Sequence, residues 1–380
     1  TGTAVVGGEV TISESGIEAS GIGITCANIN GAQIGGRRNI IINGAMQVAA
    51  RSTSVSGITS SGYYTVDRFN LNTTDEATYT MEQSSDAPVG FKNSAKFTIT
   101  TADSSVAADD YAACHYLVEG HDFAQFGFGA TGAKSFTLSF YVKSSQTGTF
   151  GLNFQNSANN RNFNSSYSIS AANTWERKTI TIPPDTSGTW LTTNGIGLKI
   201  WWSFLVGSNF EASSVSTAWG TTLGLGLNGQ VQLSSIANAT WQITGVQLEV
   251  GGVTDFEHLS YGDTLAKCQR YCYVLDMAAN RFIESGTGFS QSTTVARHFI
   301  QLPVPMRTNP TLTATATAVR FYAADIGDNF NANTFVFSAT PVKDNCLGVS
   351  LYGATTGMTG GQGGIIQAMA DGSMTFDSEL

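Results

Sequence analysis

The chain has 380 residues, a formal net charge of −9, 42 Gly and only 12% charged residues. That length supports two or three domains with real cores, while soluble domains usually carry about a quarter charged residues. No Lys/Arg-rich run supplies the footprint expected of a nucleic-acid binder, and no apolar run reaches the roughly eighteen residues of a membrane-spanning helix.

Residues 1–38 alternate short β-branched snatches with Gly and polar residues, and one copy could not bury enough apolar surface to offset its ordering entropy. The segment is therefore expected to be either a linker or an intertwined, trimerising β stalk; the spacing of Ile12, Ile17, Ile22 and Ile24 favours the stalk. A chain that starts at Thr1 is expected to be a fragment or a processed product whose anchoring segment lies elsewhere.

Residues 39–261 read as one antiparallel jelly-roll sandwich. NIIINGAMQV opens it, with Asn43-Gly44 as a turn or bulge, followed by a polar loop, SGITSSG, and YYTVDRFNLN. In that last stretch Tyr64, Val66 and Phe69 are expected in the core and Asp67-Arg68 as an ion pair at its edge. SAKFTITTA, SFTLSFYVKSS, TFGLNFQNS, TWERKTITIP, GIGLKIWWSFLVG and ATWQITGVQLEV alternate apolar and polar residues as half-buried strands do. Residues 107–125 are softer and predict a short helix or a crossover. Asp263 is the expected N-cap of a helix over 262–275, with Leu265, Cys268, Cys272 and Leu275 on one face. Residues 276–380 supply about six further strands, read as a small β-sandwich tip, with Pro303, Pro305 and Pro310 confining their neighbourhood to an edge or bend.

Three stretches resemble the modules that close many tailed-phage fibre proteins, both tail and head fibres. They are RRNIIINGAMQVAARST…YYTVDRF at 38–69, TGVQLEVG…FEHLSYGDTLAKCQRYCYV ending near 275, and RHFIQLPVPMRTNPTLTAT. The first two follow in the family's order and cover roughly 38–275. The resemblance implies a homotrimer on the virion surface, joined to the virion body through an N-terminal anchor, and attachment to a host-surface glycan. The alternative is a carbohydrate-binding module of a secreted or surface protein without a virion. A glycan depolymerase would need two carboxylates across a sugar cleft, and no such pair is legible.

No catalytic site is expected and no cofactor is implied. His115 and His121 flank Glu119 and Asp122, but their spacing is not HExxH and they read as solvated polar residues. The five cysteines form no CxxC pair, and Cys268 with Cys272 reads as two small apolar side chains. Asp325 and Asp328 in DIGDN are weak calcium candidates. Sugar recognition asks for flat aromatic faces with amides beside them, which singles out Trp201, Trp202, Trp219 and Tyr63 with Asn159 and Asn160. Consecutive Trp201 and Trp202 must point to opposite faces of a strand, so one packs in the core and the other faces solvent or a partner chain.

Overall fold

A computed structural model describes residues 37–277 without interruption. It also describes 10–13, 16–19, 28–29 and 32–33 near the start, and 288–314, 319–323, 329–332, 340–341, 348–354, 359–368 and 371–380 further on. The described residues are all-β apart from one nine-residue α-helix and a few single turns. Val10–Ser13 pairs with Gly16–Ala19 and Asn28–Ile29 with Ala32–Gln33 as small hairpins; the intertwining expected of the stalk lies outside the described residues.

The body is a jelly-roll sandwich of two antiparallel sheets. One orders its strands 176–182, 136–144, 240–250, 94–101, 78–84 and 54–58; the other orders 162–169, 148–155, 196–206, 111–119 and 69–73. Between them lies one large core that includes Phe97, Phe136, Phe140, Trp202, Phe204 and Trp241. The alternation that predicts Thr240–Val250 slips once, from Trp241 and Ile243 to Val246 and Leu248. The slip is a bulge: pairing with the 136–144 strand shifts register there, and Gly245 sits at φ +61°, where glycine carries no steric cost.

Three strands of the two jelly-roll sheets escape the sequence reading. Ser54–Ile58 lies in part of the polar loop, Thr78–Ser84 carries no clear run, and Asn162–Ile169 hides its core-facing Phe163, Tyr167 and Ile169 among Asn and Ser. The soft region resolves into the strand Tyr111–Glu119 followed by the single turn Gly120–Phe123.

The helix is shorter than expected, Tyr261–Gln269, and its N-cap is Ser260 rather than Asp263. Ser260 Oγ accepts from the Asp263 N–H at 3.1 Å and donates to the Asp263 carboxylate at 2.6 Å, so Asp263 is the third residue of a capping pair. Cys272 and Leu275, expected on the helix face, lie past it in the strand Cys272–Met277, which pairs with Gly372–Asp377; that strand in turn pairs with Thr311–Ala314. The second sheet of this C-terminal sandwich orders 329–332, 319–323, 363–368, 288–290, 295–301, 348–354 and 340–341.

The expected Asp67–Arg68 pair does not form, because each residue is drawn to a different partner. Asp67 accepts from the Ala50 N–H at 3.0 Å and faces Arg51 at 3.9 Å. Fully buried Arg68 donates to the Leu117 carbonyl at 2.6 Å, pairs with Glu379 and lies 3.6 Å over the Tyr271 ring. Arg51 reaches Asp377 at 2.7 Å, and Arg307 donates to the carbonyls of Ser378 and Glu379, both at 2.7 Å. Residues 377–379 are thus clasped onto the jelly roll by Arg51 and Arg68, while Arg307 ties the same segment to the Asn194 carbonyl at 2.9 Å.

Candidate glycan-binding site

The aromatic residues singled out from sequence do not form a platform. Trp202 lies in the core against Phe69 and Phe140. Trp201 points to the opposite face as expected, yet it is only 6% exposed. The segment after the strand folds back so that Phe210, Leu223 and Leu225 cover it, and its ring packs against His115 with centroids 4.0 Å apart. The expectation that one of the pair faces solvent or a partner chain is therefore corrected: residues of the same chain cover it.

Trp219 is buried among Phe128, Phe163 and Trp190 and donates its indole N–H to the Pro183 carbonyl at 2.7 Å. Tyr63 lies beneath the Arg51 guanidinium in the clasp, 5.3 Å from cation to ring centre. Asn159 Oδ1 accepts from Lys199 Nζ and Asn160 Oδ1 from Asn156 Nδ2, both at 2.7 Å, so these amides shape their own turn.

His115 is a buried strand residue rather than a solvated one, with Nδ1 3.3 Å from Asn72 Nδ2. Burial, aided by Lys199, pushes its pKa down to about 3. No group of three or more metal-ligating side chains occurs among the described residues, and Asp325 and Asp328 lie outside them.

A different surface collects the chemistry that sugars need. Tyr261, the first residue of the helix, is 58% exposed. With Gln47, Lys92 and Asn93 it lines an open cleft of about 280 Å³. Each wall has a local cause. Ser260 caps the helix and fixes where Tyr261 projects. Lys92 and Asn93 follow Phe91, whose ring is wedged among Phe256, His258 and Tyr141 with centroids 4.9, 5.3 and 5.5 Å away. Gly245 makes room for that wedge, since a Cβ there would stand 2.7 Å from the Phe91 ring. Gln47 follows the Asn43 turn, where the Asn43 side chain bonds both the N–H and the carbonyl of Val48. FEHLSYGD therefore supplies one wall and pins the loop that forms the second, and NGAMQ supplies the third.

No known family profile matches the sequence, and no curated protein matches it. Among solved structures, the chain is similar to the enzymatically active domain of tailspike protein 4 of Bacteriophage CBA120, at 14% identity and a TM-score of 0.31. That match covers 56% of this chain and 21% of the tailspike chain. It is similar also to a family 11 carbohydrate-binding module of a Clostridium thermocellum cellulosomal cellulase, at 12% identity and a TM-score of 0.27, covering 54% of this chain and 100% of the module. Scores of this size bear on neither ligand nor activity.

What the cleft can do follows from its own groups. An exposed tyrosine ring offers a flat apolar face and a hydroxyl. Gln47 and Asn93 set amide side chains beside that ring, groups that can donate to and accept from sugar hydroxyls. The volume lies just below the roughly 300 Å³ at which small-ligand pockets begin, enough for one or two sugar rings held partly in the open. Sequence reasoning passed over Tyr261 because the helix was expected to begin at 262, which left Tyr261 in the connection before it. The available signal was a large aromatic directly after a capping serine.

Proposed function

We propose that this chain is a structural fibre protein of a tailed phage, homotrimeric and displayed on the virion. On this reading it attaches to a host-surface glycan through the Tyr261 cleft and performs no chemistry. The observation that carries the proposal is that the two motifs of the fibre resemblance, apart in sequence, each supply a wall of one cleft, Gln47 from the first and the exposed Tyr261 ring from the second. Three copies of a weak site on one particle would multiply affinity through effective concentration.

Glycan-array binding and calorimetry on the full chain test the site. Tyr261→Ala is expected to weaken binding about tenfold or more without moving the melting temperature, because the side chain is exposed. An unchanged affinity would discard the cleft. Light scattering of the full chain and of residues 39–380 tests the assembly: a trimer that dissociates on deletion supports the stalk, whereas a monomer in both cases favours a stand-alone carbohydrate-binding module.

A further inference from the structure

The Tyr261 cleft contains an unneutralised cation. Lys96, Lys143 and Lys178 each pair with a carboxylate, at 3.0, 2.5 and 2.6 Å, and Lys199 is held by Asn159. Lys92 is exposed and has no such partner among the described residues. None of the carboxylates nearest the cleft along the chain pairs with Lys92 among the described residues. Asp263 is bound within the helix cap, Glu257 accepts from the Asn39 N–H at 2.8 Å, and Asp86 takes both Lys143 and the Trp175 indole. Lys92 thus places a free ammonium beside an exposed aromatic ring, with the Asn93 and Gln47 amides completing the lining.

We infer that the cleft selects an anionic saccharide, a pyranose bearing a carboxylate, over its neutral counterpart; this rests on the glycan reading above. The Tyr261 ring stacks on the sugar face, the Lys92 ammonium pairs with the carboxylate, and the Gln47 and Asn93 amides bond to hydroxyls. A chain of net charge −9 does not attract polyanions at large, so recognition is local and involves about one charge, with a correspondingly shallow salt dependence.

The test is an array in which each uronate- or sialate-containing oligosaccharide is printed beside its carboxyl-reduced form and probed with the full chain. The acid forms are expected to bind, and the reduced forms to bind about fivefold more weakly at low salt. Lys92→Gln should erase that difference and Lys92→Arg should keep it. Equal, Tyr261-dependent binding of acid and reduced forms would overturn the anionic preference and leave the glycan reading standing. Binding of no glycan would overturn both.

Discussion

At the scale of single residues, the buried ionisable groups set how stability changes with pH. His115 and His298 are buried; burial lowers their values to about 3 and about 4, so both are neutral in the folded state. In the unfolded chain they take up protons below about pH 6.5, so each withdraws stability as pH falls from there. Asp67 acts oppositely. Burial, resisted by Arg51, raises its value to about 6, so the folded state binds the extra proton and gains stability between roughly pH 6 and pH 4. Asp75, also raised by burial, acts with Asp67, so the two carboxylates oppose the two histidines as the pH falls below about 6. Denaturant unfolding at several pH values should show His115→Gln losing less stability on acidification from about pH 6 than the wild type does. A variant that follows the wild-type pH dependence unchanged would refute the assignment.

At the scale of elements, the Phe91 wedge links the sheet to the cleft. Gly245→Ala forces an alanine into φ +61° and sets its Cβ 2.7 Å from Phe91. The expected cost is about 1–3 kcal/mol. Glycan affinity should also fall, although residue 245 does not line the cleft, because Lys92 and Asn93 lose their anchor. Full affinity in a destabilised variant would show that the loop does not depend on the wedge. The strands themselves were largely legible, since stretches such as SFTLSFYVKSS and GIGLKIWWSFLVG bury alternate residues against one core. The cover over Trp201 was not. A strand pattern says that two tryptophans face opposite ways, but only the return of residues 207–227 decides whether the second meets water. The cleft was illegible for a related reason: Gln47, Lys92 and Tyr261 are brought together by a bulge, an aromatic wedge and a cap, none of which leaves a periodic trace.

At the scale of the whole molecule, the clasp decides integrity. Removing residues 377–380 would leave Arg68 buried without Glu379 and deprive Arg51 of Asp377. A buried ion stripped of its partner costs about 3–5 kcal/mol. Chemical denaturation should register a loss of that size, and Arg68→Met in the shortened chain should recover part of it, since an apolar side chain of similar bulk needs no counter-ion. Equal stability of the full and shortened chains would contradict the clasp. The separation along the chain has a further consequence: Arg51 precedes Asp377 by 326 residues, and Arg68 precedes Glu379 by 311. A ribosome releases every strand of the jelly roll well before the carboxylates that neutralise its interior exist. A body made ahead of residues 377–379 carries Arg68 without its counter-ion, so it is expected to gain about 3–5 kcal/mol only when that late segment docks.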